Sequence, residues 1–426
     1  MNLNRLTPPE FKTIDKVDIL KANKIALPNK INTYEINAGS QDLIKLELMF
    51  SAGSRFQEKP LLAYAANTLI MEGTEKYTSE QIADITDYYG AFLQTEIDKD
   101  YAGVTLYTLN KHLDHVLPLL KSVVTEAVFP IEEIETFIQN EKQRFLVDEK
   151  KVSVIARKHF NEMIFGSAHA YGYNLKIEDF DNLTREAIQG FYNQYYHAGN
   201  CTIIVAGKIS EKENKKIASY FGENFIVKPI PAYSPKTIQS SNENKKVLFR
   251  EDAVQSAIRI GRLLFNKNHP DYFGMQVLNT ILGGYFGSRL MANIREDKGY
   301  TYGIGSGLLS MKEAGAFFIS TEVGVEVCKE AIHEIYLEIK RLREELISEE
   351  ELQLVKNYMM GVFLKNVDGP FALSDRLKSL LEYDFGYEFF DQYIETIKTI
   401  TAFQIKELAN KYLKEEDLLE LVVGKK

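Results

Sequence analysis

The chain has 426 residues, 45% hydrophobic, 26% charged and 12% aromatic, a globular composition that excludes disordered and fibrous classes. At roughly 100 to 200 residues per domain, two to three domains are expected. Fifty-one Lys plus Arg against sixty Asp plus Glu leave a net charge of −9, which argues against nucleic acid as a partner, because its binders concentrate positive charge.

Met1 to Leu20 interleaves Asn4, Arg5, Glu10, Lys12 and Asp15 with apolar residues, so it lacks the uninterrupted apolar core of a signal peptide. No later run approaches the roughly 18 apolar residues that span a bilayer, so no membrane partner is expected. The two cysteines, Cys201 and Cys328, lie far apart and outside any CxxC pattern, which excludes a disulfide framework and a thiolate metal site. A cytoplasmic location follows as the expectation.

Along the chain, Ile44-Lys45-Leu46-Glu47-Leu48 alternates as a strand does, and a helix containing Asn67-Thr68-Leu69-Ile70 follows. His112-Leu113-Asp114-His115 looks like half a metal motif, but its spacing is three rather than four. Pro118 belongs in a first helical turn, which places His115 at or before a helix start and favours a loop-and-cap role. Glu141, Asp148 and Glu149 read as a solvated helix face. Thr184 is the candidate N-cap of a helix that leads into a short β-prone run ending at Gly207-Lys208.

The segment from Ile226 to Lys246, with Pro229, Pro231, Pro235 and the run Ser240-Ser241-Asn242-Glu243-Asn244, favours irregular backbone and marks a linker. Beyond it the pattern restarts: Ser256-Ala257-Ile258-Arg259-Ile260 answers the first strand and Asn279-Thr280-Ile281-Leu282 the first helix. The Gly-rich run Leu282 to Leu290 follows a helix rather than a strand, so it is a close-approach turn and not a nucleotide loop. A short helix ends at Gly299, and a strand starts near Tyr300. Cys328, Ile332, Ile335, Ile339 and Leu342 share one face of a helix, with Glu334, Glu338 and Lys340 toward water.

The end of the chain repeats the end of its first half. Ile394 set against Ile177 gives an offset of 217 that runs ungapped for about thirty residues, matching Thr184 to Thr401, Tyr195 to Tyr412 and Gly207-Lys208 to Gly424-Lys425. The resulting fold class is α+β: two duplicated domains, residues 1–225 and 247–426 around a linker 226–246, each a mixed, mostly antiparallel sheet with helices packed on one face. A cleft between the halves is the default place for function.

Ser288-Arg289-Leu290, Ile294-Arg295-Glu296 and Gly299-x-x-Tyr302 together resemble the C-terminal-half signature of the pitrilysin/insulinase family of zinc metallopeptidases, which includes the processing peptidases. The resemblance spans nearly the whole chain. It implies a clamshell half in which Arg295 and Tyr302, seven residues apart, project into a chamber and hold the substrate. Their chemistry is compatible, since a guanidinium fork grips a carbonyl or carboxylate and a phenol donates to an oxyanion.

The family's zinc motif, His-x-x-Glu-His, falls by register from Gly73-Thr74 on Tyr64-x-x-Asn67-Thr68. A phenol and an alcohol are poor zinc ligands and an amide is no base, so no metal and no catalytic residue is expected in this chain alone. The family's further glutamate ligand belongs to the helix of Glu141, Asp148 and Glu149, without a fixed register. His169, in the stretch Gly166 to Tyr171, resembles a structural segment of the family and reads as a packed or capping histidine.

The resemblance therefore implies the non-catalytic, substrate-binding subunit of a heterodimeric zinc peptidase that acts on short unfolded peptides. Zinc is then expected in a homologous partner subunit that carries His-x-x-Glu-His. The alternatives are a scaffold subunit that has lost catalysis and a homodimer that binds peptides without cutting them.

Overall fold

The computed structural model describes residues 17–223, 225–230 and 232–426. Asn4, Arg5, Glu10, Lys12 and Asp15, which carry the signal-peptide argument, and Pro231 of the linker lie outside the described residues. The first half forms β1 (Asn23–Ala26), β2 (Asn32–Asn37), β3 (Leu43–Phe50), α1 (Leu62–Leu69), α2 (Ser79–Tyr88), β4 (Phe92–Ile97), β5 (Ala102–Leu109), α3 (Leu113–Thr125), α4 (Ile131–Asp148), α5 (Val152–Phe165), α6 (Arg185–Tyr195), β6 (Cys201–Gly207) and α7 (Glu211–Phe221). The second forms β7 (Lys245–Phe249), β8 (Gln255–Leu264), α8 (Tyr272–Asn279), β9 (Thr301–Ser310), β10 (Gly315–Gly324), α9 (Cys328–Glu344), α10 (Glu349–Lys365), α11 (Pro370–Leu381), α12 (Glu388–Thr399), α13 (Ala402–Tyr412) and β11 (Leu419–Gly424).

The strands build two sheets, ordered β1-β2-β6-β3-β5-β4 and β7-β11-β8-β10-β9. Only β2–β6 and β7–β11 pair in parallel, and all other neighbours are antiparallel, so the second sheet repeats the first without its β1 edge. The duplication extends to local detail. Thr184 and Thr401 each accept a hydrogen bond from the backbone N–H three residues on, capping helices of equal length. Gly207 and Gly424 end the paired strands at φ +133° and +136°, where an added Cβ would sit 2.1 Å from the Leu43 carbonyl oxygen and 2.7 Å from Ser256 Oγ.

Each half packs its helices on one face of its own sheet: Leu46, Leu48, Val104, Leu117 and Val205 are buried together in the first, Ile258, Ile260, Ile319, Ile335 and Val422 in the second. The opposite faces are covered by helices exchanged between halves. From α5, Ile155, Phe160 and Ile164 pack on Ala257, Leu421 and Val423 of the second sheet; from α11, Leu373 and Leu377 pack on Ile36, Met49 and Ile204 of the first. Burial on both faces explains the uninterrupted apolar runs Ile203-Ile204-Val205-Ala206 and Leu421-Val422-Val423. At roughly 1.5 to 3 kcal/mol per fully buried Leu, Ile or Phe, the exchange welds the halves together.

The default cleft between the halves is therefore closed by packing. The turn from Met311 to Ala314, between β9 and β10, plugs into the first half. There Glu313 meets Arg55 Nη1 at 2.7 Å and His169 Nε2 at 3.1 Å, and the Lys312 N–H donates to Asp100 at 2.9 Å. Among the described residues no helix is long and apolar enough to cross a membrane.

Candidate functional site

Between α8 and β9 the chain makes two wide helical turns, Thr280–Gly284 and Met291–Asp297, then reverses at Gly299 with φ +66°. The Gly-rich run serves close approach, since a Cβ on Gly283 would lie 2.6 Å from the Ser306 backbone nitrogen of β9. Arg295 lies near the end of the second turn, and Tyr302 is the second residue of β9. Arg295 Nε donates to the Tyr302 carbonyl at 2.8 Å, tying the two positions together through the backbone. The guanidinium carbon lies 4.6 Å from the Phe286 ring centroid and 5.9 Å from that of Tyr302. Tyr302 itself is 95% exposed.

The support for this turn comes from α9, and it corrects one expectation. Cys328, Ile332, Ile335, Ile339 and Leu342 are buried as predicted and Lys340 is exposed, but Glu338 is buried rather than solvated and Glu334 is half-buried. Both carboxylates accept from Asn293 Nδ2, at 2.7 Å for Glu338 and 3.0 Å for Glu334, two residues before Arg295. Glu338 also meets Arg341 at 2.7 Å. A buried charge needs such partners. Phe286 and Asn293 were not singled out from sequence, and the two glutamates were read there as solvated. The exposed aromatic in the Gly-rich run was the available signal.

The degenerate motif lies on α1 in the other half. Tyr64 and Thr68 occupy one half-buried face, a turn apart, and Asn67 is buried on another. Asn67 Nδ2 donates to the Tyr196 hydroxyl at 3.0 Å and to the Gly103 carbonyl at 3.3 Å. From α4, Glu141 reaches this position: the Tyr64 hydroxyl donates to Glu141 Oε1 at 3.3 Å. Glu141 is thus turned toward α1 and is not part of a solvated face, whereas Asp148 and Glu149 pair with Lys151 and Lys158. Arg144 Nη1 lies 2.9 Å from Glu141, a fixed cation against that carboxylate. Burial, followed by the nearby Glu141 charge, raises the Tyr64 phenol above its ordinary range, further from a metal-binding phenolate. The donor set of Tyr64, Asn67, Thr68 and Glu141 does not fit a zinc ion, which needs three basic ligands. Among the described residues no cluster of three or more His, Cys, Asp or Glu could hold a metal.

The histidines singled out from sequence, His112, His115 and His169, are engaged in local packing and turns. His112 closes a turn from Asn110 to His112, and His115 falls inside α3 rather than at or before its start, because that turn precedes the helix and leaves Pro118 in its second turn. His115 stacks on Tyr89 with centroids 4.5 Å apart. His169 is buried, accepts from the Tyr171 N–H at Nδ1 and reaches Glu313 through Nε2. Cys201 and Cys328 are both buried and free.

Duplicated α+β halves, each a mixed sheet with helices packed on it, define a metallopeptidase-type clamshell fold. The model described as Insulinase (Peptidase family M16) matches residues 35–173, and that described as Peptidase M16 inactive domain matches residues 182–359. The chain is 20% identical over 391 residues to the uncharacterized zinc protease YmxG of Bacillus subtilis (strain 168), covering 89% of this chain and 92% of that one. It is 19% identical over 391 residues to the non-peptidase homolog YmxG of Helicobacter pylori, covering 89% of each. A crystal structure of a peptidase M16 inactive domain from Pseudomonas fluorescens superposes with a TM-score of 0.88 at 21% identity, covering 96% of this chain and 99% of that one. The chain belongs to the pitrilysin/insulinase family, peptidase family M16, as a member of the inactive type.

Proposed function

We propose that this protein is the substrate-binding, non-catalytic subunit of a heterodimeric zinc peptidase acting on short, unfolded peptides. The observation that carries this is the contrast between the two sites: the side chains at the metal position are engaged elsewhere, while the Arg295–Tyr302 unit is built and presented. Arg295 spends Nε on the Tyr302 carbonyl, and that bond aims its planar fork without using the two terminal nitrogens as donors to it. These nitrogens suit a peptide carbonyl or carboxylate, and the exposed Tyr302 hydroxyl suits an oxygen that gains charge during bond cleavage. Zinc and the general base would reside in a homologous partner with His-x-x-Glu-His. A chamber between two such chains would admit extended peptides and exclude folded mass.

The test is reconstitution. The purified chain alone should contain no stoichiometric zinc and cleave no peptide; mixed with its partner it should restore cleavage. Arg295→Ala or Tyr302→Phe should then slow turnover roughly ten- to thousandfold, as loss of one oxyanion-type donor does, without weakening assembly. Unchanged rates in both variants would favour a scaffold role instead.

A further inference from the structure

The first half holds a built cavity apart from Arg295 and Tyr302. It encloses about 310 Å³ between the loop from Ser54 to Leu61, the β4–β5 turn, the stretch from Ala168 to Leu175 and the linker around Tyr233. Its wall includes Tyr64, so it adjoins the disabled metal position.

Two cations reach the interior, and they differ. Arg55 is neutralised: Nε lies 3.0 Å from Asp100, Nη1 lies 2.7 Å from Glu313, and its guanidinium carbon lies 4.8 Å from the Tyr233 ring centroid. Among the described residues Lys99 makes no ion pair of its own, and Asp100 is the one carboxylate that acts on it. Its Nζ donates to the Ala170 carbonyl at 3.0 Å, and the adjacent Asp100 is already engaged by Arg55, the Tyr171 hydroxyl and the Lys312 N–H. Burial holds the Lys99 ammonium below its ordinary pKa, the sign of a desolvated cation that lacks a full counter-charge. The exposed Glu58 and Lys236 on the lining carry opposite charges and offset each other. Pro60, Leu61 and Leu175 supply apolar wall beside the ammonium.

We propose that this cavity binds the C-terminal carboxylate of a short peptide, with the Lys99 ammonium as its counter-ion and the apolar wall against the terminal side chain. The charge selects a monoanion, because the Glu58 and Lys236 charges on the rim cancel and the one ammonium left unmatched cannot balance a dianion. The volume accommodates the last residue or two of an extended chain, since a water occupies about 30 Å³ of liquid. Identifying the carboxylate as a peptide's end rests on the peptide-handling reading above, whereas the preference for a monoanion rests on the cavity alone.

The experiment is calorimetric titration of the purified chain, without a partner, using N-acetyl-Ala-Leu-Phe as the free acid and as its C-terminal amide, with acetate and inorganic phosphate as competitors. The acid should bind at least about tenfold more tightly than the amide, as expected for a hydrogen bond to a charged group. Lys99→Met should bring the acid down to the amide's affinity, Lys99→Arg should retain the preference, and phosphate should compete no better than acetate. Equal affinities for acid and amide, an unaltered preference in Lys99→Met, no binding of either peptide, or stronger competition by phosphate would each overturn the proposal. The acid–amide comparison uses the unmodified protein, so it stands even if a Lys99 variant fails to fold. Because no partner is present, its outcome is separate from that of the reconstituted pair.

Discussion

Replacing Glu313 by Ala removes the carboxylate that the β9–β10 turn inserts into the first half. Glu313 Oε1 lies 2.7 Å from Arg55 and Oε2 lies 3.1 Å from His169, whose ring is 1% exposed. Removing one member of a buried ion pair costs about 3 to 5 kcal/mol when the other is stranded. Arg55 would not be wholly stranded, because Asp100 remains 3.0 Å from its Nε, so the expected loss is about 2 to 3 kcal/mol. Glu313→Gln keeps the shape and an acceptor, and should lose about 1 kcal/mol. Urea denaturation is the assay: the midpoint should fall with the slope unchanged, because the native fold and the surface exposed on unfolding stay the same. A change below about 0.5 kcal/mol in Glu313→Ala would refute the view that the hairpin tip locks the halves, since that is the range of ordinary surface substitutions.

Glu382 has its carboxyl pushed up to about 7, chiefly by burial and partly offset by Lys267. An acid whose pKa is raised by folding stabilises the fold below its unfolded value, and that contribution is lost as pH rises through the folded value. Stability should therefore fall by about 2 to 3 kcal/mol between pH 4.5 and 7.5, and Glu382→Gln should flatten that slope when denaturation midpoints are compared across pH. Glu338→Ala should cost about 1 to 2 kcal/mol, and a double-mutant cycle with Asn293→Ala should show coupling above about 0.5 kcal/mol, because the two side chains share one hydrogen bond. Tyr64→His with Thr68→His should create a His-His-Glu set with Glu141 and bind one zinc per chain by metal analysis; a further Glu141→Gln should abolish it. Zinc retained in that triple variant would show that Glu141 does not face α1.

What sequence could and could not reveal divides along a physical line. The repeat was legible because caps and strand-ending glycines are local: Thr184 and Thr401 bond three residues away, and Gly207 and Gly424 are dictated by their own φ. The exchange of α5 and α11 was not legible, because an apolar stripe shows that a helix is covered and not which sheet covers it. Glu338 was misplaced for a related reason. Periodicity puts a carboxylate outward by default, and only the fold brings Asn293 onto it. Glu141 lies 77 positions from Tyr64, too far for local spacing to set its register against α1. Arg295 and Tyr302 were visible through the resemblance of their segment to the family signature, because residues and spacing alone fit an ordinary surface pair, whereas the bond from guanidinium to the Tyr302 carbonyl required coordinates.

The two halves explain how one site can be lost while the other persists. The polar contacts that engage Tyr64 and Asn67 are to Glu141, Arg144, Gly103 and Tyr196, all in the first half. The contacts that shape Arg295 are to Phe286 and Tyr302, with Asn293 held by Glu334 and Glu338, all in the second. No residue is shared between the two sets, and substitutions at sites without common partners act additively. Replacing metal ligands on α1 therefore costs the Arg295 turn nothing. It leaves one debt within the first half, the negative charge of Glu141, which Arg144 meets at 2.9 Å without a metal. A duplicated fold whose halves are welded by α5 and α11 but share no polar partners at these two places can change the residues of α1 without disturbing the Arg295 turn.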